Sequence, residues 1–267
     1  MQAEHWNGPG GERWAESQED IDRSLAAITA LWLPWVAARP ADRVLDVGCG
    51  CGTTTILIRE RAAAASGVDI SAPMLAVARH RAPALEFTLA DAERHAFTAA
   101  YDLIVSRFGV MFFDDPTAAF ANLRTALAPG GRLAFACWRP LVENPWAHVP
   151  LTAAAGLAPA PSCASILRGP VPPADPHAPG PFAFADRDRT EAILTAAGWR
   201  DVVIEPRDTT MVLGETLDAA VTSALTFGPL SRVAAELDEP AREIIRGRLR
   251  ATIAPTMPAA IWLVAAR

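Results

Sequence analysis

The sequence contains no lysine, and all 24 of its basic residues are arginine. A lysine Schiff base and a phosphate-loop lysine are therefore excluded. Basic charge is also scarce, since 30 acidic residues give a net charge of −6 and a pI near 5.4. Nucleic-acid binding rewards basic surfaces through counterion release, so nucleic acid is not expected as the main partner. A small molecule is the better expectation.

Cysteines are few, and long hydrophobic runs are absent. The spacing of Cys49, Cys51, Cys137 and Cys163 matches neither a zinc site nor a secreted disulfide framework, so we expect reduced thiols, no metal and a cytoplasmic protein. The longest apolar run, residues 25–38, is too short to span a bilayer and contains Pro34. The first residues lack a basic segment followed by an apolar one, so no signal peptide is expected. A homodimer stays an open alternative to a monomer.

The distribution of apolar residues predicts an α/β fold. Residues 16–35 carry apolar side chains at helical spacing, the pattern of an amphipathic helix. From Arg43 onward, short apolar runs alternate with Ala-rich helical stretches, which indicates a doubly wound, largely parallel sheet covered on both faces. We predict a single domain made of an N-terminal lid and helix (1–38), a core (40–138), a proline-rich insertion (139–185) and a C-terminal part (186–267).

The proline-rich insertion and the C-terminal part are less regular. A long irregular segment inside a compact domain is either a functional insertion or a disordered linker, and both interpretations stay open. Order resumes with a helix in "DRDRTEAILTAAGW", followed by a strand in "DVVIEP", helical faces within 217–225 and 240–253, and a closing strand in "AAIWLVAAR".

The segment "VLDVGCGCGT", residues 44–53, indicates a ligand site. Glycine returns at every second position, Gly48, Gly50 and Gly52, which is favoured where the backbone turns sharply or approaches a ligand closely. In a doubly wound sheet, ligands bind beyond the carboxyl ends of the strands, where this loop would lie. Such a loop alone does not distinguish a dinucleotide from another adenosine cofactor.

Three aspartates at successive strand ends narrow the choice. Asp69 comes 69 − 46 = 23 positions after Asp46, where a carboxylate can accept hydrogen bonds from both hydroxyls of a ribose. Asp91 follows 91 − 69 = 22 positions later, where it can accept from an exocyclic adenine amine. Each could instead be an ordinary turn residue, but three in series favour an adenosine-containing ligand.

The ordered motifs "LDVGCGCG", "VDIS", "LAD", "YDLIVSRFGVMFF" and "LAPGGRL" resemble those of the class I S-adenosylmethionine-dependent methyltransferases over about residues 40–138. The resemblance implies S-adenosylmethionine as the cofactor and a seven-stranded sheet with an antiparallel last strand. It implies the following contacts: Asp46, Gly48, Gly50 and Gly52 around the methionine moiety; Asp69 on the ribose; Ile70 and Met74 beside the adenine; Asp91 and Ala92 at the adenine edge; Ser106 and Arg107 near the methionyl group and the substrate.

Two alternatives remain. A nicotinamide-dependent oxidoreductase usually has the loop G-x-G-x-x-G, whereas Thr53 stands here at the third glycine position. The short-chain version also requires a tyrosine with a nearby lysine, and this chain has only Tyr101 and no lysine. The second alternative is a noncatalytic binding partner with the same fold.

The N-terminal segment "WNGPGGERWAESQ" resembles the opening of the ubiquinone and menaquinone biosynthesis branch of this family, where the segment closes over the cofactor. Trp14 and Gln18 are four residues apart and would share a helical face, so both could contact the cofactor. Trp14 could alternatively pack against the core.

The methyl acceptor is less well defined. His148 is the first candidate for a proton-accepting base and His177 the second, although either could be a surface residue. Arg107 could orient a carboxylate or phosphate, or form a structural ion pair. The insertion and the helices within 215–253 should form the acceptor cavity, and an apolar or aromatic acceptor is indicated by Phe108, Met111, Phe112, Trp146, Phe182 and Phe184. Oxygen, nitrogen and carbon acceptors are not distinguished.

Overall fold

The computed structural model describes residues 2–98, 100–157 and 178–267. Seven strands form one sheet in the order β3-β2-β1-β4-β5-β7-β6. The strands are β1 (Arg43–Val47), β2 (Ala64–Asp69), β3 (Glu86–Leu89), β4 (Tyr101–Arg107), β5 (Leu127–Trp138), β6 (Val203–Val212) and β7 (Thr256–Ala266). Strands β1 to β5 pair in parallel, and β7 is antiparallel to both β5 and β6. The predicted doubly wound sheet with an antiparallel last strand is confirmed.

Helices connect and cover these strands. Before the sheet lie α1 (Gln2–Asn7), α2 (Pro9–Glu16), α3 (Gln18–Ser24) and α4 (Ala26–Trp35). Between β1 and β5 lie α5 (Thr53–Arg59), α6 (Ala72–Arg81) and α7 (Pro116–Thr125), and beyond β5 lie α8 (Pro145–Ala153), α9 (Arg187–Ala196), α10 (Leu217–Thr226), α11 (Pro229–Ala235) and α12 (Glu239–Thr252). Short 3-10 turns span Gly109–Phe112 and Leu141–Glu143.

The apolar stripe predicted for residues 16–35 is confirmed, but the helix is not continuous. Ile28 and Trp32 are fully buried, as the spacing indicates. Helix α3 ends at Ser24 and α4 begins at Ala26, because Leu25 takes a non-helical conformation between them. The apolar face is thereby divided between two short helices that can follow the curved surface of the core separately.

The proline-rich segment contains a helix that the composition does not indicate. Residues 145–153 form α8, with Pro145 at the helix start, where a missing N–H costs nothing. The buried side chain of Asn144 holds this start, because it accepts a hydrogen bond from the Trp146 indole at 2.9 Å and one from the Ala260 N–H at 2.9 Å. The prediction that residues 139–185 lack regular structure is therefore wrong for 145–153.

The topology also locates the ligand-binding edge. Strand β1 is flanked by β2 on one side and β4 on the other, so the order of the chain reverses there. Within the described residues no helix is both long and apolar enough to cross a membrane.

Candidate active site

The glycine loop after β1 has the backbone conformation that only glycine adopts easily. Gly48, Gly50 and Gly52 have φ angles of 68°, 54° and 83°. These left-handed conformations turn the chain from the end of β1 into α5, and a side chain at any of them would be strained. The loop residue Cys51 is partly buried, and this burial raises the pKa of its thiol to about 12. That thiol is protonated at neutral pH, which fits a structural loop residue.

Asp69 ties this loop to the end of β2. One carboxylate oxygen accepts a hydrogen bond from the Gly50 N–H at 2.7 Å, and the other accepts from the Ser71 N–H at 2.8 Å. Only 7% of the residue is exposed. Burial raises the pKa of Asp69, and the two backbone N–H donors oppose that rise. Each oxygen keeps a lone pair, so the carboxylate can still accept from a ligand hydroxyl.

A first cavity of about 320 Å³ lies at the carboxyl ends of β1 to β4. Most of the predicted cofactor contacts line it, namely Trp14, Gln18, Gly48, Gly50, Asp69, Ile70, Met74, Asp91, Ala92 and Arg107. Residues far apart in the sequence therefore meet around one space. Asp91 lies two positions beyond the end of β3, and its carboxylate accepts a hydrogen bond from the Glu93 N–H at 3.0 Å.

Three other predicted cofactor contacts support this cavity without lining it: Asp46, Gly52 and Ser106. Asp46 is fully buried, and one of its oxygens accepts hydrogen bonds from the Thr54 and Thr55 hydroxyls at 2.6 and 2.7 Å. The Ser106 hydroxyl donates to the Val47 carbonyl at 2.7 Å and accepts from the Gly109 N–H at 3.1 Å. Both side chains hold the surrounding loops through these hydrogen bonds, and neither lines the first cavity.

Burial has a large effect on Asp46. It raises the pKa of this carboxyl to about 6, against the opposing hydrogen bonds from the two threonines. The second oxygen of Asp46 has no hydrogen-bond partner among the described residues. The carboxylate is therefore poorly solvated, and its ionisation near neutral pH weakens the fold.

The N-terminal helices close one side of the first cavity. The Asn7 amide donates to the Ile70 carbonyl and accepts from the Ala72 N–H, both at 2.9 Å, which fastens α1 to the start of α6. The Ser71 hydroxyl donates to the Trp6 carbonyl at 2.6 Å. Trp6 and Trp14 pack edge to face with ring centroids 5.8 Å apart, and both line the cavity. The segment lies beside the first cavity, and its closure over a cofactor stays a prediction.

Asp22 links α3 to the loops of the cavity. Its carboxylate accepts hydrogen bonds from the Gln18 amide and from the Thr53 hydroxyl, and it forms an ion pair with Arg81 at 3.3 Å. Asp22 was not among the site residues predicted from the sequence. The spacing of Gln18 and Asp22, four apart on one helix, was the signal that could have identified it.

Arg107 lies at the end of β4 with 11% of its side chain exposed. Its guanidinium donates to the Thr29 hydroxyl at 2.5 Å and lies 3.9 Å from the Asp22 carboxylate. Burial lowers the pKa of Arg107, while Asp22 and Asp46 favour its charged form. The guanidinium therefore places a buried positive charge at the wall of the first cavity.

A second cavity of about 670 Å³ adjoins the first. Five residues line both: Trp14, Ile21, Leu25, Phe108 and Phe112. The second cavity also includes Met111, Trp138, Trp146 and residues from the end of β6 and from α10, so it is mainly apolar and aromatic. Phe182 packs near Trp146, whereas Phe184 is fully buried in the core. Of the helices predicted to form an acceptor site, α10 and the start of α11 line this cavity, whereas no residue of α12 does.

Of the two predicted bases, His148 lines neither cavity and His177 is not described. His148 lies on α8 between Trp146 and Pro150, which both line the second cavity, but His148 does not. Helical geometry explains this, because neighbouring positions on one turn point in different directions. His177 lies outside the described residues.

Comparison with known proteins identifies the core of this site. Residues 44–131 match the family model described as a methyltransferase domain. Residues 44–131 are a methyltransferase domain. The matched segment runs from β1 into β5 and contains the glycine loop, Asp69, Asp91 and Arg107. The predicted class I methyltransferase fold is confirmed, and neither alternative, the oxidoreductase or the noncatalytic partner, is favoured.

Individual relatives resemble the same region. The trans-aconitate 2-methyltransferase of Acidovorax sp. (strain JS42) is 41% identical over 100 residues, which cover 36% of this chain and 39% of that protein. The demethylmenaquinone methyltransferase of Thermus thermophilus is 40% identical over 98 residues, which cover 34% of this chain and 44% of that protein. The similarity thus spans less than half of either relative, and the second supports the predicted resemblance to the menaquinone branch.

A solved structure shows the same fold over most of the chain. The YcgJ protein from Bacillus subtilis superposes with a TM-score of 0.58 and 16% identity, covering 89% of this chain and 96% of that chain. At this identity the likeness concerns the fold alone. The sheet and its covering helices are therefore common to both proteins.

The first cavity of the methyltransferase domain suits S-adenosylmethionine chemically. Asp69 supplies carboxylate oxygens for ribose hydroxyls, and Ile70 and Met74 supply apolar surface for an adenine ring. Arg107 and Asp22 supply charges of both signs that complement an amino-acid group. The residues that line the first cavity therefore fit S-adenosylmethionine as the cofactor. Among the described residues no three histidine, cysteine, aspartate or glutamate side chains are grouped to hold a metal, and the absence of a metal stays a prediction.

Proposed function

We propose that this protein is an S-adenosylmethionine-dependent methyltransferase that acts on a small, mainly apolar or aromatic metabolite. The observation that carries the proposal is the junction between the two cavities. A cavity suited to the cofactor and a larger apolar cavity share five lining residues, so two ligands can approach each other there. The arrangement suits a reaction between a bound donor and a bound acceptor.

We assign the cofactor contacts within the first cavity as follows. Asp69 binds the ribose hydroxyls, Ile70 and Met74 flank the adenine, and Asp91 with Ala92 meets its polar edge. Trp14 and Gln18 cover the cofactor from the N-terminal side, and Arg107 orients an anionic group of the cofactor or acceptor through its planar guanidinium. Asp46, Gly52 and Ser106 act indirectly, by holding the loops in place.

The chemistry places modest demands on the chain. When bound by the residues of the first cavity, S-adenosylmethionine would supply an electrophilic methyl group, and its sulfur would keep the electron pair of the broken bond as the acceptor atom takes the methyl group and loses its proton. The residues around the junction hold the acceptor in line and keep water out, mainly through Trp14, Phe108 and Phe112. His148 lies away from this junction, so we do not assign it a proton-accepting role.

We propose further that the whole chain works as one domain. The N-terminal helices (1–38) cover the cofactor-binding core (40–138), and the segments 139–185 and 186–267 supply the acceptor side. A cytoplasmic location and a small-molecule partner remain parts of this proposal.

A labelled-methyl screen tests the function. The purified protein is incubated with S-adenosylmethionine that carries a trideuterated methyl group and with a metabolite extract, and products are analysed by mass spectrometry. We expect at least one extract compound to acquire the label with active protein and not with heat-inactivated protein. Calorimetric binding of the cofactor without any labelled product from a range of extracts would instead support a noncatalytic partner.

A further inference from the structure

Phe108 has a backbone conformation that is unusual for a bulky residue. Its φ is 72° and its ψ is −6°, in the left-handed region. Only two other non-glycine residues with positive φ occur in the described part of the chain, Ala37 and Asp201, and neither lines a cavity. Glycine would adopt this conformation without strain. Strained residues of this kind are concentrated at functional sites, so the backbone conformation of Phe108 indicates a functional role for its side chain.

The neighbouring contacts explain how the conformation is held. Gly109 lies against Gly48 so closely that a Cβ on Gly109 would come within 2.7 Å of the Gly48 Cα. The Ser106 hydroxyl accepts from the N–H groups of Gly109 and Val110 at 3.1 and 3.3 Å. These contacts force the chain to turn at Phe108, immediately after β4, and fix the direction in which its ring leaves the backbone.

The ring is placed at the junction of the two cavities. Phe108 stacks on Trp138 with ring centroids 4.3 Å apart and an interplanar angle of 6°. Both residues line the second cavity, and Phe108 lines the first as well. Trp146 packs against Trp138 with centroids 4.7 Å apart. The aromatic wall of the second cavity thus reaches the junction with the first cavity through Phe108.

We propose that Phe108 selects and orients a planar aromatic acceptor, which packs on the Phe108–Trp138 surface with its reacting atom towards the first cavity. This inference rests on the proposed function and narrows its substrate class. An aromatic pair is stabilised beyond the burial of its area, so a planar ring gains more at this surface than a saturated ring of the same skeleton. The backbone strain at Phe108 is retained because glycine would lose that contact.

The proposal is tested by binding two probes of the same carbon skeleton, planar 1-naphthol and saturated decahydro-1-naphthol. Each is titrated by calorimetry into protein saturated with S-adenosylhomocysteine. We expect the wild type to prefer the planar probe by roughly 3–10-fold, the range that an aromatic contact supplies. Phe108→Leu should remove the preference, and Phe108→Tyr should restore it. Phe108 also lines the first cavity, so the affinity of each variant for S-adenosylhomocysteine is measured first and each probe is titrated at an S-adenosylhomocysteine concentration that saturates that variant.

Phe227→Leu is the matched control, because Phe227 lines the second cavity but not the first. That variant should keep the preference for the planar probe even if both probes bind more weakly. An unchanged preference in Phe108→Leu, a preference lost in Phe227→Leu instead, or no binding of 1-naphthol to the wild type would each overturn the proposal. A wild type that fails to bind S-adenosylhomocysteine would overturn the proposed function itself.

Discussion

Asp69 has two structural hydrogen bonds at the place where it meets the proposed ribose. Its oxygens accept from the N–H groups of Gly50 and Ser71, so the carboxylate shapes the loop. In the proposed function the same carboxylate also contacts the ribose. Hydrogen bonds to a charged group contribute roughly 1.5–3 kcal/mol each. Removing this carboxylate therefore affects cofactor binding in two ways.

We expect Asp69→Ala to weaken S-adenosylhomocysteine binding by about 10–100-fold, or roughly 1.4–2.8 kcal/mol. Asp69→Asn should be nearly as damaging, because its NH₂ group would face one of the two backbone N–H donors. Isothermal titration calorimetry measures both. Asp188→Asn, the same change on the exposed face of α9, is the control and should bind normally. Wild-type affinity in Asp69→Ala would refute the ribose assignment.

Asp46 gives a pH dependence of stability. Because burial raises its pKa in the folded state to about 6 from a usual value of 3.8, its stabilising contribution is complete below the unfolded pKa and is lost as pH rises through the folded one. A shift of this size corresponds to at most about 3 kcal/mol.

We therefore expect the unfolding free energy of wild type, relative to Asp46→Asn, to fall between about pH 4 and about pH 7. The amide is not ionised and keeps an oxygen for Thr54 and Thr55. Urea unfolding at both pH values measures the difference. If the difference in unfolding free energy between the two proteins does not change with pH, ionisation of Asp46 does not destabilise the folded protein.

Among the elements, the loop after β1 and the turn after β4 depend on backbone contact. Gly109→Ala tests that contact, because an added Cβ would lie 2.7 Å from the Gly48 Cα and from the Val47 carbonyl oxygen. Gly109 does not have a positive φ, so the substitution adds no backbone strain of that kind. We expect a loss of about 2 kcal/mol or more in unfolding free energy, as for other overpacked sites, together with weakened cofactor binding.

The control for this substitution is Gly247→Ala in the middle of α12, where an added Cβ meets no atom within 4 Å. That change should stabilise the protein by about 0.5–1 kcal/mol through helix propensity and leave cofactor binding unchanged. Thermal or urea unfolding with calorimetry distinguishes the two. Equal, small effects of both substitutions would contradict the close approach of the two loops.

Helix α1 is fastened to the start of α6 in part through Asn7, so cofactor release should be sensitive to this residue. Asn7→Ala removes two hydrogen bonds between α1 and residues 70 and 72. We expect S-adenosylhomocysteine to dissociate about 3–10-fold faster, since each exposed neutral hydrogen bond contributes about 0.5–1 kcal/mol. Stopped-flow tryptophan fluorescence reports the rate. Glu191→Ala on exposed α9 is the control, and an unchanged rate in Asn7→Ala would show that α1 does not limit release.

The sequence was informative about elements with local signals. Residue types alone predicted the alternation of strands and helices from Arg43 onward, the apolar stripe around Ile28 and Trp32, and the turn at the glycines after β1. Helix α8 was not, because proline content indicated irregularity while the helix start is held by a contact between Asn144 and β7. A contact between residues 144 and 260 has no local trace in the sequence.

At the scale of the whole molecule, the first cavity could be predicted by individual residues, whereas for the second only contributing segments and several aromatic residues could be predicted. The first is built from strand ends whose order follows from the fold, so Asp69 and Asp91 were found from their positions, and Arg107 was found from the family resemblance. The second combines α3, the turn after β4, α8, the end of β6 and α10, so it depends on how those elements pack. Its aromatic residues were expected, but their stacking and the role of Phe108 at the junction required the structure.

The central claim is that the first cavity binds S-adenosylmethionine, and calorimetry tests it most directly. Wild-type protein is titrated in parallel with S-adenosylhomocysteine and with NAD under identical conditions. The account predicts saturable one-to-one binding of S-adenosylhomocysteine and no detectable heat from NAD. Tight binding of NAD, or no binding of S-adenosylhomocysteine, would contradict it.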